Sequence, residues 1–335
     1  TRMNRITHFQ FNTLQSNFEG ELYFDDSTLH AAQKAIYATD ASVYQEMPLA
    51  VALPRTVEAI RKLIQFANEH KLTLIPRAAG TSLAGQVVGN GIVVDISKHF
   101  GKILEVNQKE KWVRVQPGVI RDDLNKHLAP FGLLFGPETS TASRAMIGGM
   151  IGNNSCGLHS ITWGSTRDHL LEVKALLADG SEAHFKNQAA GDYMQSVSQK
   201  AGSKREQAIL AGMWGMLSNP VDQELIKKQF AKPTVTRRNS GYGLDAMVNN
   251  FEKNQINLCN LIAGSEGTLC FVTEAKIGLV DVMPASVGVV CIHANTLAES
   301  LHANRVAMKH HPKASELVDR YIMDFTKNHA VYSNN

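Results

Sequence analysis

Apolar residues return every three or four positions after Pro54. Val57, Ile60, Leu63, Ile64 and Ala67 fall on one face, and Thr56 stands ahead of them as a cap, so a helix is expected through His70. Short apolar runs at Leu72–Pro76 and Ile92–Ile96 then read as strands, as do Ile103–Val106 and Lys111–Gln116 on either side of a Gln108-Lys109-Glu110 turn. Asp122–Leu128 reads as a short helix with Leu124 and Leu128 inside. Leu170–Leu177 and Glu182–Phe185 alternate around Ala178-Asp179-Gly180, a hairpin signal. Residues 186–203 read as polar loop. Helices follow at Lys204–Leu217, with Ile209, Leu210, Met213 and Trp214 inward, and at Asp222–Phe230; Cys270–Leu279 is a strand. After Pro284 the pattern restarts with a strand at Ser286–His293, a helix capped by Asn295 or Thr296 and reaching about His310, and an amphipathic helix at Ala314–Phe325.

Three stretches break this periodicity. Leu72–Pro76 runs into Arg77-Ala78-Ala79-Gly80-Thr81-Ser82-Leu83-Ala84-Gly85-Gln86, a loop whose small residues let backbone N–H groups turn toward an anion. Gly80 and Gly85 have the spacing of an ATP-binding loop, but Gln86-Val87 stand where Lys-Ser/Thr is needed. The dinucleotide fingerprint G-x-G-x-x-G is absent from the loop, and a strand rather than a helix follows it. The second stretch, residues 137–157, carries Gly148, Gly149 and Gly152, each of which weakens a helix by roughly 1 kcal/mol relative to alanine. Such a cost is tolerated where a backbone must lie against something bulky. The third, Gly264-Ser265-Glu266-Gly267-Thr268-Leu269, sits just before a strand.

Composition narrows the field. The chain has 335 residues, 44% hydrophobic and 19% charged, enough for two domains with a full core. Its net charge, 34 − 31 = +3, gives no case for nucleic acid. The four cysteines, Cys156, Cys259, Cys270 and Cys291, form no C-x-x-C pair, so a reduced cytoplasmic protein is the default. No apolar run reaches membrane length, which leaves a peripheral role at the inner membrane open. His310-His311 before Pro312 reads as a solvated helix end rather than a metal site, and no G-x-S-x-G elbow accompanies a serine nucleophile.

Taken together, five motifs resemble the FAD-binding domain of the vanillyl-alcohol oxidase / p-cresol methylhydroxylase superfamily. They are Pro76-Arg77-x-x-Gly80-Thr81-Ser82, Ile147-Gly148-Gly149 with Asn153-Asn154, Gly164-Ser165-Thr166-Arg167-Asp168, Arg238-Asn239-Ser240-Gly241-Tyr242 and Gly264-Ser265-Glu266-Gly267-Thr268. They occur in the family's order over about residues 35 to 280, and Tyr37-Ala38-Thr39-Asp40-Ala41-Ser42 resembles the lead-in of the FAD-linked D-2-hydroxy acid dehydrogenase branch. That branch includes D-lactate dehydrogenase, the glycolate oxidase flavoprotein and D-2-hydroxyglutarate dehydrogenase.

The resemblance implies an α+β fold. A lead-in over 1–45 precedes a two-subdomain FAD-binding domain over 46–281, and 282–335 begins a substrate-binding cap that is incomplete. It implies cofactor contacts from Pro76, Arg77, Ala78, Ala79, Gly80, Thr81, Ser82, Gly85 and Gln86 in the first stretch. Pro137, Thr141, Ile147, Gly148, Gly149, Gly152, Asn153, Asn154, Cys156 and Gly157 follow in the second, and Gly264, Glu266, Gly267 and Thr268 in the third. Arg77 is expected to support the loop, and Glu266 to orient its own loop at the adenine side. Where relatives with covalent flavin carry histidine, this chain has Thr81, so noncovalent FAD is expected; Cys156 is read as a small turn residue beside the cofactor, not as a flavin link. Arg238, with Tyr242, is the candidate for an acid substrate's carboxylate.

The implied reaction oxidises a D-2-hydroxy acid of the D-lactate, glycolate or D-2-hydroxyglutarate class to the 2-oxo acid, by hydride transfer to flavin N5. Electrons would leave to a quinone, a carrier protein or a fused iron–sulfur domain. The branch's base and metal-binding histidines lie late in its cap, and no G-D-G-N-x-H-like segment or cysteine cluster occurs here. The chain is therefore expected to be the N-terminal part of a larger enzyme, with any iron–sulfur cluster or divalent metal beyond residue 335 and no catalytic base assigned within it. Two other classes fit the same motifs: a flavin-carrying electron-transfer subunit, and an NADPH-dependent reductase of the superfamily such as the cell-wall precursor reductase.

Overall fold

The computed structural model describes residues 8–199, 202–232, 234–235, 237–239, 241–327 and 329. Ser240 of the fourth motif, residues 1–7 of the expected lead-in and 330–335 of the expected cap lie outside the described residues.

The first subdomain is a four-stranded sheet. Ala50–Pro54 pairs in parallel with Ile92–Asp95, which pairs in parallel with Leu74–Arg77, while Gly20–Tyr23 adds an antiparallel edge. The central strands are apolar throughout because both faces are covered: Ala50, Val51, Ala52, Ile92, Val93 and Val94 are fully buried. Helix Val57–His70 covers one face with Ala59, Ile60, Leu63, Ile64, Phe66 and Ala67, and Thr56 caps it by accepting from the Ala59 N–H. The helix ends at Lys71 in the left-handed region, φ 55°, which turns the chain into Leu74–Arg77.

The expected lead-in is part of this core. Phe11, Phe18, Leu22 and Phe24 are buried in it, and Phe11 stacks on Phe24 with ring centroids 5.1 Å apart. Its sequence is polar overall, but its aromatic residues find partners in Phe66 and the sheet, which local periodicity does not reveal.

The second subdomain is an antiparallel five-stranded sheet ordered Ile103–Asn107, Trp112–Val115, Phe271–Gly278, Leu170–Leu176, Glu182–Lys186. Phe271–Gly278 alternates strictly between buried and half-buried positions, as a sheet with one covered face requires. The covered face joins Val113, Val115, Val173, Ala275 and Ile277 to a helical layer containing Leu124, Leu128, Met247 and Val248. The other face carries a half-buried ion network. Arg114 bridges Glu172 and Glu274 at 3.1 and 3.0 Å, and Lys276 and His184 reach Glu172 at 3.1 and 3.0 Å.

Three expectations need correction. Residues 186–203 include the short strand Gln188–Ala189 and helix Ala190–Ser198. Ala190 and Tyr193 are buried there, and the Tyr193 hydroxyl donates to the Leu210 carbonyl, so tertiary packing overrides a polar local sequence. Ser286–His293 forms no strand. Val287, Val289, Val290 and Ile292 are exposed, and no described strand pairs with them; an isolated strand has no hydrogen-bond partner to hold it. The helix expected at Ala314–Phe325 is confined to Arg320–Lys327. By contrast, Thr296 does cap a helix, Leu297–Ala307, by accepting from the Glu299 N–H.

Candidate functional site

The two parallel strands Leu74–Arg77 and Ile92–Asp95 are neighbours, so the chain must cross over between them. Residues 78–91 make that crossover as a loop without a helix, and its small residues come to lie at the edge of a cavity of about 750 Å³ between the subdomains. This volume lies within the usual range for small-molecule and cofactor sites.

The first wall comprises Pro76, Arg77, Ala78, Ala79, Gly80, Thr81, Ser82 and Gln86. Gly80 has φ +65°, and a Cβ there would fall 2.6 Å from Arg77 Nη2, so the turn admits only glycine without strain. Arg77 is fixed from behind. It donates to the Thr39 carbonyl at 2.8 Å and to the Tyr37 carbonyl at 3.5 Å, and it lies over the Tyr37 ring. Tyr37 in turn donates to Asp95 at 2.5 Å. Burial, then the bond to Asp95, raises the Tyr37 hydroxyl pKa, so it stays a donor. Arg77 thus ties the start of the loop to the Tyr37–Thr39 segment.

The second wall comes from Thr141, Gly148, Gly149, Gly152 and Asn153. The three glycines sit in one seven-residue helix, Ile147–Asn153, and each has its own reason. Gly148 packs on Pro117, where a Cβ would fall 2.6 Å from the ring. Gly152 backs onto Glu266 and Gly267. A Cβ on Gly149 would meet only Ala78 Cβ, at 3.4 Å, and otherwise open space at the cavity.

The third wall is Glu266 and Gly267, with φ +50° and +73°. The Glu266 N–H donates to the Gly152 carbonyl at 2.9 Å, and its carboxylate accepts from Asn153 Nδ2 at 3.1 Å. Burial pushes the Glu266 carboxyl up, against hydrogen bonds from Asn153 and Gln86 that hold it down. One side chain thereby ties all three stretches together. Cys270, also on the wall, is a half-buried thiol whose surroundings raise its pKa to about 12, which makes it an inert packing group.

The other expected site residues stand behind the walls. Gly85 packs against Tyr44; the Pro137 carbonyl accepts from Arg121; Ile147 is core; Gly157 lies against Glu138. Asn154, fully buried with φ 52°, ends the helix, and its side chain accepts from the Arg167 N–H at 2.8 Å. Cys156 Sγ accepts from Arg237 Nε at 3.0 Å and from Asn239 at 3.3 Å. Gly264 meets the Arg167 guanidinium, and Thr268 bonds the Tyr242 hydroxyl at 2.8 Å. Arg238 is ion-paired with Asp245 and lies over the Phe230 ring, away from the cavity wall. Thr39 and Asp40, in the stretch that resembles the branch's lead-in, line the cavity. Arg144 lines it as well and was not singled out, because nothing in Ser143-Arg144-Ala145 marks it as more than a surface charge. Among the described residues no group of three or more His, Cys, Asp or Glu side chains could hold a metal ion, and no helix is long and apolar enough to cross a membrane.

Residues 48–186 match a family model described as an FAD binding domain. The structure shares its fold with an alkyldihydroxyacetonephosphate synthase, with TM-score 0.55 at 18% identity, over 85% of this chain and 47% of that one. It also matches Physcomitrella patens BBE-like 1 with TM-score 0.53 at 14% identity, over 81% of this chain and 44% of that one.

Within that class the chain resembles the FAD-linked D-2-hydroxy acid dehydrogenase branch. It is 32% identical to a D-2-hydroxyglutarate dehydrogenase of Haemophilus influenzae over 94% of its own length and 30% of the relative's. It is 33% identical to that of Pseudomonas putida over 92% and 29%. A glycolate oxidase subunit GlcD of Bacillus subtilis is 36% identical over 47% of this chain and 33% of that protein. The chain spans about a third of the length of these relatives.

Proposed function

We propose that the chain holds noncovalent FAD in the cavity and contributes to the oxidation of a D-2-hydroxy acid, of the D-2-hydroxyglutarate, glycolate or D-lactate class, to its 2-oxo acid. The observation that carries the reading is the cradle itself: three glycine-rich backbones converge on one cavity, with Gly80 in a left-handed turn and Gly149 open toward it. A flat, extended cofactor with a diphosphate fits walls that offer backbone N–H groups, Thr81 and Ser82 hydroxyls and little side-chain bulk. Thr81 offers no imidazole for covalent attachment.

FAD held there would supply a two-electron acceptor for the hydride at the acid's C2. The residues of this chain do the holding. Arg77 and Glu266 fix the loops, the buried Ile151 and half-buried Cys270 give the wall an apolar surface, and Pro117 sets the depth of the Gly148 helix. The hydroxyl proton needs a base, and none is assigned here. Residues 46–281 would be the cofactor domain behind the 1–45 segment, and 282–335 the beginning of a substrate cap. A quinone, a carrier protein or an iron–sulfur domain would take the electrons onward. The four free cysteines fit a reducing cytoplasmic setting, with peripheral contact at the inner membrane compatible with it.

The test has two parts. Purified protein should carry about one FAD, released intact by acid or heat; flavin that stays on the denatured chain refutes noncovalent binding. Anaerobic stopped-flow reduction by D-2-hydroxyglutarate or D-lactate should be slow for residues 1–335 and faster in a form extended to the length of the relatives. Absence of an oriented base costs ~10²–10⁴ in rate. Equal rates in the two forms would put the base inside this chain.

A further inference from the structure

Two guanidinium groups border the cavity, Arg77 and Arg144, and their situations differ. Arg77 commits its Nη1 to the Thr39 and Tyr37 carbonyls and lays its guanidinium over the Tyr37 ring. Arg144 is exposed, and its guanidinium makes no hydrogen bond or ion pair with any described residue. Its backbone is nevertheless held: the Arg144 N–H donates to Thr141 O at 2.8 Å, and Ala145 is pinned through Arg121 N at 2.9 Å. A fixed backbone with an uncommitted cation at a cavity wall is a receptor for an anion.

The rest of the wall makes that cation matter. Asp40 and Glu266 are the carboxylates of the lining, so the four charged groups sum to zero before any ligand enters. A dinucleotide's diphosphate brings two more negative charges, and backbone N–H groups carry only partial charge to meet them. Arg144 also stands at the right seam. Three residues on, Ile147–Asn153 begins, and its Gly149 faces Ala78 of the first loop across 3.4 Å for a Cβ. Arg144 lines the same cavity as both glycine-rich backbones, within reach of an anion held there.

We propose that Arg144 is the residue of this chain that holds the cofactor's diphosphate by charge, while Arg77 is a strut with no direct contact to it. The proposal rests on the reading of the cavity as an FAD site. An Arg–phosphate pair is often bidentate, which sets lysine apart from arginine at the position.

The experiment titrates apo-protein with FAD, followed by flavin fluorescence, for wild type, R144Q and R144K at low and at high NaCl. R144Q should raise the Kd about tenfold or more at low salt and flatten its dependence on salt, with R144K in between. Circular dichroism and thermal midpoint of the apo-protein should not move, because the guanidinium has no partner in the protein to lose. Wild-type Kd and salt dependence in R144Q overturn the proposal. So does a fall in thermal stability that accounts for the weaker binding, which would make Arg144 structural. FAD-loaded R144Q that keeps the wild-type Kd but loses the spectral response to D-2-hydroxyglutarate also overturns it, by giving the cation to the substrate's carboxylate. Failure of the wild-type protein to bind FAD at all refutes the cofactor reading itself, and is seen in the first titration.

Discussion

Two adjacent glycines should respond in opposite ways to the same methyl group. At Gly148 a Cβ would lie 2.6 Å from Pro117 Cβ and 3.1 Å from the Pro117 carbonyl, which already accepts from the Gly148 N–H at 2.7 Å. The proline ring has no rotamer to retreat into. Overpacking of this kind costs about 1–3 kcal/mol, only part of which is offset by the 0.5–1 kcal/mol or so that alanine gains over glycine inside a helix. G148A should therefore lose on the order of 1–2 kcal/mol of stability. At Gly149 the added Cβ meets Ala78 at an ordinary 3.4 Å, so G149A should keep the helix gain, roughly 0.5–1 kcal/mol. G149V projects two further carbons into the space assigned to the cofactor. It should fold and yet bind FAD at least tenfold more weakly. Urea unfolding of the apo-proteins reads the first pair, and FAD titration reads the valine variant. G148A as stable as G149A would refute the packing argument, and wild-type FAD affinity in G149V would refute the cradle.

Further expectations follow from the sheet and the first helix. Burial works to raise the Glu172 carboxyl pKa, but hydrogen bonds from Lys276, Arg114 and His184 outweigh it and bring it from 4.5 down to about 2. A depressed carboxyl stabilises the fold above its unfolded value, and that stability fades as pH falls from about 4.5 toward 2. E172Q should thus cost on the order of 1 kcal/mol at pH 7, solvent screening taking most of the full value, and distinctly less at pH 3; a pH-independent difference in urea unfolding would be evidence against the network. T56A removes the acceptor for the Ala59 N–H and should cost about 1 kcal/mol; an unchanged unfolding midpoint would show that this cap contributes nothing.

What could be read from the sequence was what is local. The helix at 57–70 carries its cap, its apolar face and its length in fourteen residues, and the structure repeats them. The hairpin around Ala178-Asp179-Gly180 is equally self-contained, as is the alternation of Phe271–Gly278. The glycine stretches could be found because glycine is costly in a helix, but the particular neighbour of each one could not. Pro117, Ala78 and Glu266 reach Gly148, Gly149 and Gly152 from about thirty, seventy and over a hundred residues away in the chain. Helix Ala190–Ser198 was hidden for the same reason, since its stabilising partner is Leu210 in the next helix. Arg144 and Arg77 look alike as letters, and only the carbonyls of Tyr37 and Thr39 tell them apart.

The cavity also depends on one group that touches no part of it. Arg167 is buried, yet among the described residues no carboxylate hydrogen-bonds to its side chain; its guanidinium donates instead to the carbonyls of Asn260, Ala263 and Gly241 at 2.9, 2.7 and 3.5 Å. Burial, then the nearby Arg238 charge, lowers its pKa, which measures the strain of holding a cation there. Those three carbonyls belong to the segment that ends in Gly264-Ser265-Glu266 and to the turn that carries Tyr242. The Arg167 backbone N–H meanwhile takes the Asn154 side chain at the end of the Gly148–Gly149 helix. One residue therefore sets the distance between the second and third walls, from behind both. Neutral Gln or Leu could not span three carbonyls, so the cost of burying the cation is accepted where the spacing of two cofactor walls depends on it.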